Sequence, residues 1–194
     1  IPNGVDVGFF SPDHRDLARN EIVFSGTLSA SMNEDAAIYL VQEVFPELHQ
    51  ADPSLRFLLA GRSPTLRLTQ VCPPFVRIVA DLPDIRVAMQ RCLVFVAPVT
   101  QGTGIKNSVL QAMARGCAVC VTPQVAAPIG ISDSVNGAVA RRGIEFVNTL
   151  RALCRDRSAI DKMGRRARIH VETLLSWSAI SKQYINALHV VSRS

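Results

Sequence analysis

One stretch limits the fold of this chain more than any other. Leu93 to Val96 is an unbroken apolar run, as a strand buried on both faces of a parallel sheet requires. Pro98 ends it, and Gly102 and Gly104 follow. The spacing predicts a helix from about Ile105 to Arg115, with Ile105, Val109, Ala112 and Met113 on the face that packs on the sheet. Gly116 stands where a helix C-terminus takes a left-handed residue, and Cys117 to Val121 reads as the next buried strand.

Such a unit sets a helix N-terminus at the carboxyl end of a sheet. Free N–H groups and the positive end of the helix dipole converge there, which suits an anion. Lys106 adds a full positive charge in the first turn, where a cation alone is locally unfavourable. A phosphate between the helix end and the ammonium would resolve that conflict. On pattern alone a second reading stays open, a solvated lysine beside a glycine turn. The segment is not a P-loop, because no Gly-Lys-Ser/Thr follows at the required spacing, and the third glycine of a dinucleotide fingerprint is missing.

Strands are predicted at Glu21 to Ser25, Leu55 to Ala60, Val76 to Ala80 and Gly137 to Ala140 as well. Helices are predicted from Glu34 to His49 with Asn33 as the cap, from Pro64 to Val71, and over Ile85 to Arg91 behind Asp84. Thr122 to Gly130 reads as a loop. From Gly143 on, the pattern is helical: Ile144 to Asp156, Ser158 to Leu174, and a last helix after Ser176-Trp177-Ser178. This alternation predicts a doubly wound parallel α/β sheet with C-terminal helices. Ligands of such sheets bind beyond the carboxyl ends of the strands, near the point where the winding reverses.

The 194 residues, 48% of them hydrophobic, suffice for one well-buried core, and no apolar run reaches the length of a membrane span. The chain opens on Ile1-Pro2-Asn3-Gly4 without an initiator methionine or basic leader, so the expectation is a piece cut from a longer protein. Ile1 to Asn20 reads as a linker with turns at Asn3-Gly4 and Ser11-Pro12-Asp13. The net charge of +5 is partly local, at Arg141 and Arg142 and at Lys162, Arg165, Arg166 and Arg168. A solvated helix face explains the second cluster, and attraction to phosphorylated ligands or an anionic membrane surface is the functional alternative. Nucleic acid is not expected, because no aromatic residues interleave with the basic ones as a stacking platform needs.

Five cysteines, an odd number beside an ample core, point to buried thiols in a reducing compartment. Cys117 and Cys120 are spaced as Cys-x-x-Cys, but residues three apart on a strand face opposite sides, which argues against zinc or redox chemistry. His14, His49, His170 and His189 are scattered without metal spacing.

An ordered set of segments carries a resemblance. It comprises Ile1-Pro2-Asn3-Gly4-Val5-Asp6 with Phe10 and Pro12, Phe24-Ser25-Gly26, Asn33-Glu34-Asp35-Ala36, Gly61-Arg62-Ser63-Pro64 and Val79 to Asp84. Gly104-Ile105-Lys106-Asn107, Ala112-Met113-Ala114-Arg115-Gly116 and Ser176-Trp177 complete it. Together they resemble the C-terminal, donor-binding domain of a family 4 retaining glycosyltransferase of the two-Rossmann-domain GT-B fold, in its bacterial exopolysaccharide flavour.

The resemblance implies a nucleotide diphosphate sugar as donor substrate, an acceptor domain preceding this chain, and no obligatory metal or other cofactor. It divides the chain into a linker over 1–20, a Rossmann-like donor domain over 21–175 and a final helix over 176–194 that packs toward the missing domain. The implied donor-binding set is Gly26, Thr27, Arg62, Ser63, Leu82, Gly102, Thr103, Gly104, Ile105, Lys106, Asn107 and Gln111. Gly26 and the loop after it approach the diphosphate, while Arg62, Ser63 and the backbone around Leu82 lie near the base. Gln111 faces the ribose. Lys106, with the N–H groups near Gly104 and Ile105, holds phosphate oxygens and is the implied catalytic residue. The expected setting is cytoplasmic, with the inner face of the membrane as the place where the full-length protein would associate peripherally.

The chain departs from the family's pattern in four places. Gln111 and Thr103 stand where glutamates are usual, Thr27 to Met32 is uncharged where Arg and Lys are usual, and Ala126-Ala127-Pro128-Ile129 replaces a Glu-Gly. An amide offers one acceptor where a carboxylate can take both ribose hydroxyls. A degenerate, non-catalytic binding module is therefore the second reading. A sugar epimerase on the same architecture ranks third, because Thr103 and Gln111 supply no acid or base.

Overall fold

Six parallel strands form one sheet in the order β3-β2-β1-β4-β5-β6, in a computed structural model that describes residues 3–12, 18–102 and 104–191. Ile1, Pro2, Asp13, His14, Thr103 and the side chains of His189 and Val191 lie outside the described residues. The strands are β1 (Glu21–Thr27), β2 (Arg56–Arg62), β3 (Val76–Ala80), β4 (Cys92–Ala97), β5 (Ala118–Val121) and β6 (Ala138–Val139). The predicted doubly wound sheet is thus the observed one. The winding runs outward through β2 and β3 on one side of β1 and through β5 and β6 on the far side of β4, so the reversal falls between β1 and β4.

Hydrophobic sequence explains the central position of β4. All six of its residues are buried, and Phe95 pairs with Val23 of β1 and with Val119 of β5. After β4 comes α4 (Asn107–Ala114), which buries Val109, Leu110, Ala112 and Met113. The helix starts two residues later than predicted, with Lys106 as its N-cap in an extended conformation. It stops as predicted: Gly116 takes φ 75°, its N–H donates to Met113 O at 2.9 Å, and Cys117 N–H donates to Ala112 O at 3.0 Å, as at a glycine C-cap.

The helix after β1 starts earlier than expected. α1 (Ser31–Tyr39) is capped by Ala30 with no side-chain bond, and Asn33 lies inside it. Asn33 is therefore no cap; its Nδ2 donates back to Thr27 O at 3.0 Å and closes the loop after β1. A π-helical stretch, Leu40–Val44, joins α1 to α2 (Phe45–Ala51), with Pro46 in the first turn of α2. The region predicted as a loop after Thr122 is a helix, α5 (Pro123–Ile129). Pro128 reads as a breaker, but so near the end of a short helix it forfeits a single backbone bond, and Gly130 at φ 74° ends the helix.

β2 leads through Thr65, whose Oγ1 accepts from Leu68 N, into α3 (Leu66–Val71). A 3-10 turn at Ile85–Met89 follows β3, and the Asp84 carboxylate accepts from Arg86 N as the sequence predicts. The C-terminal helices are α6 (Ile144–Arg155), α7 (Arg157–His170), a π-helical turn at Val171–Leu175, and α8 (Trp177–Val191).

Residues 3–12 dock on this helical layer. Val5 N–H donates to Leu175 O at 2.9 Å, and Trp177 N–H returns to Val5 O at 3.2 Å. Arg168 donates to the carbonyls of Val7, Phe10 and Ala114. Arg168 thus leaves the solvated basic face on which the sequence placed it, whereas Lys162, Arg165 and Arg166 are exposed.

Gly164 of α7 lies against the turn between α4 and β5. A Cβ built there would sit 2.2 Å from Gly116 O and 3.4 Å from Ala118 N. Backbone cannot yield as a flexible side chain can, so Gly164→Ala is expected to cost about 2–3 kcal/mol, read as a shift in the urea midpoint at unchanged slope.

Candidate functional site

The loops after β1 and β4 face each other across the switch point; two contacts tie the first to the end of β2, one closes it on itself and one joins it to the second. Gly26 pairs with Gly61 in the parallel register. Leu28 N–H donates to Arg62 O at 2.8 Å. Asn33 Nδ2 holds Thr27 O. Met32, in the first turn of α1, reaches over to Gly102 and Lys106: its Sδ lies 2.7 Å from Lys106 Nζ.

Of the sequence-predicted set, Gly26, Thr27, Arg62, Gly102 and Lys106 are brought together by these contacts. Ser63 follows Arg62 directly, with a positive φ of 53° that turns the chain away from β2. Leu82 is half-buried one residue beyond Asp81, whose N–H donates to Gly61 O at 3.2 Å. Ile105 packs its side chain on the core. Asn107 opens α4 and accepts from Asn3 Nδ2 at 3.5 Å. Gln111 lines a cavity of about 240 Å³ together with Asn107, Gly4, Asp6, Phe10 and Trp177.

The electrostatics favour an anion. Among the described residues, the N–H groups of Gly104, Ile105, Lys106, Asn107 and Ser108 donate to no protein acceptor. They cluster at the start of α4, where the helix dipole adds its positive end. No carboxylate among the described residues lies within ion-pair distance of Lys106, and burial pulls its ammonium below the ordinary lysine value.

The floor of the crevice is pinned by residues whose partners are distant in sequence. Arg142 Nε donates to Pro98 O at 2.6 Å, its other arm pairs with Asp35 at 2.7 Å, and its plane lies over the Tyr39 ring. Tyr39 Oη accepts from Gly143 N–H at 2.8 Å. Burial pushes the Tyr39 hydroxyl up, so it stays protonated at neutral pH. Tyr39→Phe leaves the Gly143 N–H without this acceptor, and a loss of about 1–2 kcal/mol in urea unfolding is expected.

Sequence reasoning placed Lys106 and its turn but missed Met32, Asn33 as a loop tie, and Arg142 as an anchor. Asn33 had a local signal, an amide six residues beyond a strand end. Arg142 had none, since its partner Pro98 is 44 positions away. Cys92, Cys117 and Cys120 are buried, while Cys72 and Cys154 are half-buried; burial raises Cys120 and pushes Cys154 up to about 11.

Fold and crevice together define a Rossmann-like α/β domain with a lysine and a helix N-terminus at its switch point. The glycosyl transferases group 1 family model matches residues 19–156, and the chain belongs to that family. No curated protein matches the sequence. Solved structures share the fold. HepE of Anabaena, crystallised with UDP and glucose, is 18% identical with a TM-score of 0.78, covering 96% of this chain and 55% of its own. Sucrose-phosphate synthase of Thermosynechococcus elongatus is 19% identical with a TM-score of 0.79, covering 100% of this chain and 53% of its own. The C-terminal domain of LpcC, a group 1 glycosyl transferase from Francisella tularensis, is matched over its whole length at 18% identity and a TM-score of 0.71. This chain therefore spans about half the length of HepE and of the synthase. No helix among the described residues is long and apolar enough to cross a membrane.

Proposed function

We propose that this chain is the donor-binding half of a family 4 retaining sugar transferase of the exopolysaccharide type. It would hold a nucleotide diphosphate sugar in the crevice between β1 and β4. The observation that carries the reading is the set of N–H groups at the start of α4 that find no acceptor among the described residues, beside the half-buried Lys106 ammonium. Transfer needs the charge on the departing diphosphate stabilised more than it needs a protein nucleophile. Lys106 and the N–H groups from Gly104 onward supply that stabilisation without an obligatory metal. Gly26 and Thr27 let the diphosphate approach the end of β1, while Arg62, Ser63 and Leu82 border the base. HepE has been crystallised with UDP-glucose as well as UDP, which favours a uridine nucleotide.

The acceptor belongs to a preceding domain. α8 supports this, because Tyr184, Ile185 and Leu188 present an exposed apolar face while Ile180 is fully buried. That face packs toward the preceding domain in the whole protein. The exposed Lys162, Arg165 and Arg166 would hold the full-length protein at the inner, anionic face of the membrane.

The test is calorimetric titration of the chain with UDP, GDP and their sugar conjugates. Saturable binding of one nucleotide is expected, with no sugar transfer by this chain alone. Transfer by the isolated chain would overturn the division of labour. The second reading, a binding module without catalysis, draws on Gln111 and Thr103, which stand where glutamates are usual. It predicts that the full-length protein binds the donor and leaves it intact in the presence of acceptor.

A further inference from the structure

Lys106 has an unusual partner. Its ammonium meets the Met32 thioether at 2.7 Å, and no carboxylate among the described residues competes for it. A thioether is a weak acceptor, so this contact satisfies little of the ammonium's hydrogen-bonding capacity. The same side chain lies over the glycine turn: a Cβ built on Gly102 would be 3.4 Å from Met32 Cε and 3.7 Å from Sδ. Met32 is itself half-buried against the core. It therefore spans the crevice from α1 to the turn before α4 and carries the lysine head with it.

We propose that Met32 is the positioning residue of the Lys106 ammonium, holding it over the turn in a partly dehydrated state that the diphosphate of a bound nucleotide then satisfies. The inference rests on the donor-site reading above and deepens it. Residue type matters here. A carboxylate at position 32 would neutralise the lysine, and a small side chain would release its flexible stem into water. The freed stem would lose its rotamer freedom at each binding event. An unbranched thioether keeps the head in place while offering an acceptor weak enough for phosphate oxygens to replace it. Burial lowers the ammonium from its ordinary value, in keeping with this placement.

The chain has only three lysines, Lys106, Lys162 and Lys182. NMR of lysine labelled with carbon-13 at Cε can therefore follow the Lys106 titration directly, with Lys106→Arg giving the assignment. In Met32→Ala the Lys106 titration is expected to move up toward the ordinary lysine value, and UDP affinity to fall about fivefold to tenfold. Met32→Leu, which keeps the bulk but removes the sulfur acceptor, is expected to keep the titration lowered and to recover only part of the affinity. An unmoved Lys106 titration in Met32→Ala would overturn the proposal. So would a loss of affinity without a change in titration, which would make Met32 ordinary packing. If the unaltered chain does not bind UDP, the donor-site reading fails on its own, and the titration still decides the role of Met32.

Discussion

Lys106→Ala is expected to weaken UDP binding by about tenfold to a hundredfold while leaving the unfolding midpoint nearly unchanged. The first half follows from charge: a charge-assisted contact to phosphate contributes about 1.5–3 kcal/mol. The second half follows from the folded chain, in which Lys106 has no ion-pair partner among the described residues and its burial is a cost. Removing the ammonium sacrifices no stabilising interaction except a contact to sulfur. The pH dependence has a definite sign. Burial lowers the lysine below 10.5 in the empty site, and an arriving diphosphate raises it again. Affinity is therefore complete below the lowered value and falls as pH rises through it, because binding must then be accompanied by proton uptake. Calorimetry in buffers of different ionisation enthalpy measures that uptake. Equal UDP affinity in Lys106→Ala and the unaltered chain would remove the basis of the donor-site reading.

Gly61→Ala is expected to have the largest effect on folding, about 3 kcal/mol or more, with loss of soluble folded chain at 37 °C as the practical readout. A Cβ at Gly61 would lie 1.7 Å from Gly26 O and 2.9 Å from Gly26 C. Both atoms belong to the backbone of β1, so relief requires β1 and β2 to separate at their carboxyl ends. That end carries Gly26, Thr27 and Arg62, so any Gly61→Ala protein that does fold is expected to bind UDP more weakly. A melting temperature within about 2 °C of the parent would show that the strands can move apart cheaply there.

Much of the architecture was legible because parallel strands buried on both faces leave a strong local mark. β3 was expected over Val76 to Ala80 and is found there, and β4 and β5 differ from their predicted spans by a residue or two. The turn around Gly102 to Lys106 was legible for the same reason: it lies between two such strands, and its charge sits where a helix dipole disfavours it. The errors have physical causes. Pro128 suggested a loop where tertiary packing buries Val125, Ala126 and Ile129 on α5. Asn33 has the residue type of a cap, but the carbonyl of Thr27 claimed its amide. Arg168 belonged to a basic run, yet three carbonyls from two distant segments surround it.

Sequence by itself determined the strand and helix order, and with it the doubly wound class, because hydrophobic periodicity is a property of neighbours along the chain. It also determined that a lysine and two glycines share the turn before α4. Only the tertiary structure decided which side chains meet across the switch point. Met32 reaches Lys106 over 74 positions, and Arg142 reaches Pro98 over 44. Such contacts arise from the sheet order, which places β1 beside β4. No local pattern encodes them, since a flexible thioether or a guanidinium fits the surface of many helices equally well. It gains a role only when packing brings a partner to it.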